Sequence, residues 1–318
     1  MSNTSIQPPK LILGCSNFGS ATDPFVKTST PAQAANLLKT FISHGHYTID
    51  TSRRYPPQAP GTSEEVLGEA FKLLDSIVEG NASISIDTKT LSSPGDHKPA
   101  NLRASIAASL AALGVTSVNT IYLHFPDRSV PLSDPVSTLS AAVQAGQARQ
   151  WGLSNYTIDD IREIISLCDQ NGWVKPAVYQ GEYNALNRQS EPLIRVCHEN
   201  GIAFYAYSPA AAGVFSPTGS RISASTPAGQ RTRAIYGGEE MQAAVQRVRD
   251  AAEKKGLGGH EVAIRWAFWN GVLDERDGVI IGASNEKQLN ETCSFLKKGG
   301  LDDELKELMD GLGEVGKG

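Results

Sequence analysis

The sequence has few cysteines and no long apolar run, and both absences exclude classes of protein. The four cysteines, Cys15, Cys168, Cys197 and Cys293, lie far apart and form no Cys-x-x-Cys pair. Neither a disulfide framework nor a zinc site is indicated, so we predict buried, reduced thiols and no metal. No apolar stretch reaches the roughly 18 residues that a membrane-spanning helix needs. Residues 1–10 are polar and lack the apolar centre of a signal peptide. We therefore expect a cytoplasmic protein with no membrane partner.

Positive charge is also scarce. The 318 residues include 29 Lys and Arg against 34 Asp and Glu, which gives a net charge of −5, and the few cations form no basic run. Nucleic acid is therefore not an expected partner. No Gly-x-Gly-x-x-Gly follows a predicted strand, so a dinucleotide-binding protein of this sequence would not have a Rossmann fold. Residues 311–318 approach the spacing of a phosphate-binding loop but lack its Ser or Thr, and we interpret them as a flexible tail.

Short β-branched and apolar runs alternate with segments of helical periodicity along the whole chain. Strands are predicted at 10–14, 47–50, 84–89, 119–123, 148–153, 177–180, 202–207 and 278–281. Helices are predicted at 31–44, 62–74, 99–113, 133–145, 158–168, 190–200 and 285–297. Eight strands joined by helical crossovers favour one domain, 1–318, with an α/β fold of the (β/α)8 TIM barrel type.

Two segments exceed the minimal barrel. Residues 209–238 form a long stretch after strand 7 that is rich in Gly, Ser, Thr, Pro and Ala. A stretch of this length in a compact domain is usually functional, so we predict a loop that covers a bound cofactor. The second segment is an extra helix near residues 260–270, before strand 8.

Four polar side chains occur where strands 2, 3 and 4 end. Asp50 ends strand 2 and Tyr55 follows in the next loop, Lys89 ends strand 3, and His124 follows strand 4. The carboxyl ends of barrel strands meet at one rim, which is where catalytic residues of such barrels lie. We therefore expect these four side chains to form one cluster.

The chemistry of this cluster suits carbonyl reduction. A phenol has a pKa near 10 and transfers its proton poorly at neutral pH unless a cation stabilises its ionised form. Lys89 is the candidate cation for Tyr55, and Asp50 is the counter-ion that would allow a buried ammonium. His124 would orient the carbonyl oxygen by hydrogen bonding.

These residues, in this order, resemble the catalytic tetrad of the aldo-keto reductase superfamily. The segment Gly45-His46-Tyr47-Thr48-Ile49-Asp50-Thr51 is similar to the family's first catalytic region, and Trp151-Gly152-Leu153-Ser154-Asn155-Tyr156 to its cofactor signature. The resemblance implies an NAD(P)H-dependent oxidoreductase. Further cofactor contacts are implied for Asp50, Ser154, Asn155, Gln180, Tyr207, Ser208, Pro209 and Gly213. The stretch after strand 8 is similar to the adenosine-phosphate site and adds Gly282, Ser284, Asn285, Gln288, Glu291 and Thr292.

The resemblance implies NADPH as the cofactor, with NADH as the alternative. Many family members carry Lys and Arg where this sequence has Gly282 and Gln288, and those cations bind the 2′-phosphate. Arg231 or Arg233 in the long segment is our candidate replacement.

The expected partner is a small carbonyl substrate, and the expected state is a monomer or homodimer. The organisation of the long segment and extra helix is most similar to the aflatoxin-aldehyde reductase branch. The predicted substrate contacts are Phe18, Arg54, His124, Phe125 and Tyr236. Two other functions share the scaffold: a cofactor-sensing subunit resembling potassium-channel β subunits, and a biosynthetic enzyme that uses Tyr55 without net redox chemistry.

Overall fold

Eight parallel strands form a closed barrel. A computed structural model describes residues 7–74, 84–216 and 226–315 of the chain. Each strand pairs with the next one in the sequence, and β8 pairs with β1 to close the ring. The strands are β1 Lys10–Gly14, β2 Thr48–Asp50, β3 Ser85–Lys89, β4 Val118–Leu123, β5 Ala148–Ser154, β6 Val178–Glu182, β7 Ala203–Tyr207 and β8 Gly278–Gly282. The (β/α)8 prediction is confirmed.

Helices surround the barrel and connect successive strands. They are α1 Pro31–Ser43, α2 Thr62–Leu74, α3 Pro99–Leu113, α4 Ser133–Gln144, α5 Ile158–Asn171, α6 Glu191–Glu199, α7 Pro227–Tyr236, α8 Glu239–Lys254, α9 Gly259–Arg265, α10 Glu286–Leu296 and α11 Asp303–Val315. The predicted start of α1 is confirmed, because Thr30 and Gln33 form a capping box ahead of Pro31. The predicted end of α3 is also confirmed, since Gly114 has the left-handed conformation that ends a helix. None of the described helices is long and apolar enough to cross a bilayer.

The barrel interior is filled by side chains rather than open. Its apolar members are Ile12, Tyr122, Val178, Tyr205 and Ile280. Two interior rings lie against glycines on neighbouring strands: a Cβ at position 152 would be 2.7 Å from the Tyr122 ring, and one at position 278 would be 2.9 Å from the Tyr205 ring. These glycines make room for the tyrosines. A larger apolar cluster packs the outside of the barrel against the helices, and it contains all four cysteines, buried and unpaired.

The segments beyond the minimal barrel contain more helix than predicted. Within 209–238, Ala211–Gly213 forms a 3₁₀ turn and α7 covers Pro227–Tyr236, while residues 217–225 lie outside the described part. Helix therefore replaces part of the predicted loop, and its role in covering a cofactor stays a prediction. Thr226 accepts a hydrogen bond from the Gly229 N–H and Pro227 follows it, so a standard helix start lies in the low-complexity sequence.

The extra helix before β8 is present as α9, which continues into a π-helical turn at Trp266–Asn270. The predicted flexible tail is a second correction, because α11 extends to Val315. Its apolar residues Leu305, Met309 and Leu312 are buried, so the helix has a packed face to the end. Residues 316–318 lie outside the described part.

Candidate active site

A buried ion pair lies at the centre of the rim formed by the carboxyl ends of the strands. The Lys89 ammonium donates to Asp50 Oδ1 at 2.5 Å and to the Thr51 carbonyl oxygen at 2.8 Å. The lysine side chain is fully buried and that of Asp50 is 5% exposed. Gln180 on β6 donates from Nε2 to Asp50 Oδ2 at 2.8 Å, so each carboxylate oxygen has its own donor. Such pairing is what allows a charged lysine inside a protein.

Tyr55 lies next to this ammonium. The Lys89 Nζ atom is 4.9 Å from the centroid of the Tyr55 ring, and the phenol is half-buried. Burial raises the pKa of Tyr55, and the Lys89 charge acts in the opposite direction. The Tyr55 carbonyl oxygen accepts from the N–H groups of Gly61 (3.1 Å) and Ser63 (3.2 Å). The first turn of α2 therefore fixes the loop that carries the phenol.

His124 completes the predicted cluster. Its ring is perpendicular to the Tyr55 ring, with 5.6 Å between the centroids. The Nδ1 atom is 3.1 Å from Ser52 Oγ. Burial, together with the nearby charges of Lys89 and Arg54, lowers the pKa of His124 well below its usual range. The imidazole is therefore neutral at physiological pH.

Two of the predicted substrate contacts extend outward from His124. Phe125 stacks on the imidazole with 4.7 Å between ring centroids, and the Arg54 guanidinium lies 5.4 Å from the Phe125 centroid. Arg54 is exposed and forms no ion pair with any described residue.

Two other predicted substrate contacts, Phe18 and Tyr236, are buried. Phe18 is fully buried in the apolar cluster around the barrel. Tyr236 is 2% exposed, and its hydroxyl donates to Glu182 and accepts from Asn184. These contacts attach α7 to the rim at β6. The structure therefore does not place Phe18 or Tyr236 on an open pocket surface, because packing and hydrogen bonding occupy both.

Polar groups of β5 and β7 lie beside the tetrad. Asn155 has a φ of 65° and donates from Nδ2 to the His124 carbonyl oxygen (2.9 Å) and to Ser154 Oγ (3.0 Å). Ser208, directly after β7, also has a positive φ of 56°. Left-handed conformations of residues other than glycine are often found at functional sites. Tyr207 is half-buried, and burial raises its pKa to about 12.

The start of α10 is the second part of the predicted cofactor site. Asn285 caps the helix through a 2.9 Å bond from the Gln288 N–H, while Gln288 Oε1 accepts from the Ser284 N–H at 2.8 Å. The N–H groups of Glu286 and Lys287 have no hydrogen-bond partner among the described residues. They are available to an anion, which the positive end of the helix would favour.

The remaining predicted members of this second part differ in exposure. Space is open around Gly282, and Glu291 is exposed. Thr292, in contrast, is 2% exposed and lies under the helix surface.

The sequence matches a known family over almost this whole structure. The profile of the aldo/keto reductase family covers residues 10–314. The chain belongs to this family. An aldo-keto reductase of Pseudocercospora fijiensis is 32% identical over 288 residues, which cover 86% of this chain and 95% of that protein. Aflatoxin B1 aldehyde reductase member 2 of Homo sapiens is 31% identical over 319 residues, covering 93% and 84%, respectively. Oxidoreductase sirO of Leptosphaeria maculans is 30% identical over 328 residues, covering 97% and 95%.

This aldo-keto reductase is accordingly an NAD(P)H-dependent oxidoreductase. The groups beside its tetrad fit the nicotinamide end of such a cofactor, because amide and hydroxyl groups and an aromatic face surround the rim. The open helix start at α10 fits the phosphate end.

A buried carboxylate behind the tetrad was not predicted from the sequence. Glu64 on α2 is fully buried and accepts from Thr88 Oγ at 2.6 Å and from Arg53 Nη1 at 3.2 Å. Thr88 precedes Lys89, and Arg53 is two residues from Tyr55. The Glu64 carboxylate therefore holds the loop of the phenol against the strand of the ammonium. The sequence contains one signal for it, because Arg53 and Arg54 precede Tyr55. An arginine that becomes half-buried, as Arg53 does, needs a counter-charge.

Proposed function

We propose that this aldo-keto reductase reduces an aldehyde or ketone to an alcohol, with NADPH as the hydride donor and Tyr55 as the proton donor. The observation that carries the proposal is the position of the Tyr55 ring, 4.9 Å from an ammonium that is itself buried against Asp50. A phenol in that position can give up its proton at neutral pH, because the cation stabilises the tyrosinate that remains.

Each member of the tetrad has a separate part in the reaction. When bound, the dihydronicotinamide would supply the hydride for the carbonyl carbon. Tyr55 transfers its proton to the carbonyl oxygen and becomes tyrosinate until solvent restores the proton. Lys89 stabilises that anion, and Asp50 keeps Lys89 charged and in place.

His124 would hold the carbonyl oxygen beside the phenol. A neutral imidazole carries its proton on one nitrogen, and the partner of the other nitrogen decides which. When the Ser52 hydroxyl donates to Nδ1, the proton lies on Nε2, where it can be donated to the substrate oxygen. Ser52 is therefore the group that would set the tautomer of His124.

Ser154, Asn155 and Gln180 would bind the carboxamide of the nicotinamide, and Tyr207 would lie against its ring. Ser208, Pro209 and Gly213 follow on the same rim. The start of α10, with Gly282, Ser284, Asn285 and Gln288 and the neighbouring Glu291 and Thr292, would bind the adenosine phosphate. For the substrate, Phe125 offers an apolar face, and Arg54 a cation, next to His124.

Preference for NADPH over NADH would come from α7. Arg231 is exposed on this helix, and its charge opposes the rise that burial causes in the pKa of Tyr207. Arg231→Gln should raise the KM for NADPH without changing that for NADH. Arg233→Gln is the matched comparison on the same helix. Equal KM values for NADPH in both variants and the wild type would remove α7 from the 2′-phosphate site.

The test of the whole proposal is Tyr55→Phe. Turnover of para-nitrobenzaldehyde is followed by the absorbance of NADPH, and cofactor binding by protein fluorescence. General acid catalysis contributes about 10²–10⁴-fold, so kcat should fall by that factor while the Kd for NADPH stays unchanged. Normal turnover by Tyr55→Phe would refute the role of Tyr55. Absence of NADPH oxidation by the wild type on a panel of aldehydes would refute the reductase function.

A further inference from the structure

The barrel interior contains a second carboxyl group close to the tetrad. Asp87 on β3 is paired in register with Asp50 on β2, and it lies two residues before Lys89 on the same strand. Side chains two residues apart in a strand point to the same side. Asp87 therefore faces the interior with Lys89, and it is fully buried.

Few polar groups serve this carboxyl group. Its Oδ1 atom accepts from Asn119 Nδ2 at 2.7 Å, while Oδ2 is buried with no hydrogen-bond partner among the described residues. The hydroxyl of Tyr122, the interior tyrosine of β4, is likewise without a partner in the described part. An unpaired oxygen in an apolar interior is costly for a carboxylate and much less so for the neutral acid.

The charged and polar groups that face Asp87 can be counted strand by strand. Asp50 comes from β2, Lys89 from β3, and Asn119 and Thr120 from β4. The charge of Asp87 in turn contributes to the raised pKa values of Tyr122 on β4 and Tyr205 on β7. Lys89 is already paired with Asp50 at 2.5 Å. Asp87 forms no ion pair of its own within the described part, so its charge would act on an ammonium that Asp50 already pairs.

Two further charged or titratable groups border this cluster. Tyr55 lies above it, beside Lys89, and Lys10 lies over the ring of Tyr205 at 6.0 Å. Burial is the main cause that raises the pKa of Asp87 to about 7. Hydrogen bonds with Asn119 and Thr120 oppose the rise, the charge of Asp50 adds to it, and that of Lys89 opposes it.

We propose that the ionised carboxylate of Asp87 stabilises the protonated form of Tyr55. Asp87 would thereby favour carbonyl reduction over alcohol oxidation at alkaline pH. Asp87 acts through Lys89 and touches neither substrate nor cofactor. A second negative charge near the ammonium offsets the help that Lys89 gives to tyrosinate. Reduction needs the protonated phenol and oxidation needs tyrosinate, so one charge affects the two directions oppositely.

The inference rests on the proposed function, and Asp87→Asn tests it. The amide has the shape of the neutral acid but cannot ionise. Initial rates are measured in both directions, at saturating cofactor and substrate, from about pH 6 to about pH 11.5. The range extends beyond the ordinary tyrosine pKa of about 10 because burial raises the pKa of Tyr55. Asp277→Asn is the matched control, because Asp277 is another fully buried acid of the barrel whose carboxylate contacts His198 instead of the tetrad.

The expected result is a difference that appears only at alkaline pH. Near pH 6 the variant and the wild type should have the same rates, since both carry a neutral group at position 87. At higher pH, reduction by Asp87→Asn should decline about one pH unit earlier, and its oxidation should reach the maximum about one unit earlier. A shift of one pH unit corresponds to a tenfold change in the ionisation equilibrium of Tyr55. Asp277→Asn should shift neither profile.

A second readout does not depend on turnover. Tyrosinate absorbance in the ultraviolet, with the titration of Tyr55→Phe subtracted, reports the ionisation of Tyr55 directly and should show the same shift in Asp87→Asn. Asp87→Thr, which also has no charge, should behave like Asp87→Asn.

Superimposable profiles of Asp87→Asn and wild type would overturn the proposal, and so would an equal loss of rate at every pH, which indicates a packing role. Failure of both variants to fold near pH 6 would overturn it as well, because it would show that the ionised carboxylate is needed there. Failure of the proposed function is a separate result: it would appear as an inactive wild type or an active Tyr55→Phe.

Discussion

Replacement of Lys89 by methionine tests how the reaction centre is assembled. Methionine fills much of the volume of the lysine side chain but carries no charge. Two effects are expected, one on catalysis and one on stability, and each can be estimated from the contacts of the ammonium.

The catalytic effect follows from the distance to the phenol. A unit charge 4.9 Å away acts with about 3 kcal/mol at an effective dielectric constant near 20, which is about 2.5 pKa units. The pKa of Tyr55, already raised by burial, should rise further by about that amount. We expect a loss in kcat of about 10²-fold or more, with little change in the Kd for NADPH.

The stability effect follows from the partner left behind. Without Lys89, the buried Asp50 carboxylate keeps only the Gln180 donor among the described residues. Breaking a buried ion pair in this way costs about 3–5 kcal/mol of the free energy of unfolding. The double variant Asp50→Asn with Lys89→Met removes both charges and should recover part of that loss, but not kcat.

Steady-state NADPH oxidation, fluorescence titration with NADPH and urea unfolding measure the three quantities. Lys72→Met is the matched control, because Lys72 forms an exposed ion pair with Glu69 on α2 and should contribute less than about 1 kcal/mol. If Lys89→Met retained kcat within about tenfold of the wild type, the cation would not be activating the phenol. If it unfolded at the same urea concentration as the wild type, the buried pair would not be stabilising the site.

Three further predictions concern groups around the tetrad. Arg53→Met or Glu64→Gln should each lower the free energy of unfolding by about 2–3 kcal/mol, whereas the double variant should lose less than the sum. Additive losses in urea unfolding would argue against their coupling. Arg54→Gln should lower kcat/KM for para-carboxybenzaldehyde about fivefold relative to kcat/KM for its neutral methyl ester, because it removes one exposed charge contact. An unchanged ratio of the two kcat/KM values would remove Arg54 from the substrate site. Hydrogen bonds from Ser129 and from the backbone N–H groups of Gly95 and His97 lower the pKa of Asp127 to about 2. A lowered pKa contributes its full stability only above the unfolded value near 4, so Asp127→Asn should lower the free energy of unfolding by about 1–2 kcal/mol at pH 7, and this difference should vanish as the pH falls toward 2. A difference in thermal stability that persisted at that pH would contradict an ionic origin.

The barrel could be predicted because each strand is a short run of β-branched and aromatic residues and each connecting helix has clear end signals. The tetrad could be predicted because each of three successive strands ends in, or is followed by, an ionisable side chain: Asp50, Lys89 and His124. Helix α8 was not predicted, although Met241, Ala244, Val245 and Val248 have helical spacing and are buried. The predicted long segment ends at residue 238, directly before α8, and no helix was assigned to residues 239–254.

Other features depend on contacts that no local pattern contains. The bond between Arg53 and Glu64 forms only when the loop folds over the first turn of α2. The burial of Phe18 and Tyr236 depends on packing between distant segments. Asp87 could have been found, because alternation from Lys89 places it inside the barrel, where a carboxyl group needs an explanation.

The tetrad comes entirely from residues 50–124, whereas the groups proposed for the cofactor come mainly from residues 154–292. Among the described residues, two hydrogen bonds join the tetrad to this second group, one from Gln180 to Asp50 and one from Asn155 to the His124 carbonyl oxygen. A chimaera that carries the cofactor-binding half of a relative should therefore take on the nucleotide preference of that relative and still use Tyr55 as the proton donor. This requires that the amide side chains of Gln180 and Asn155 are retained.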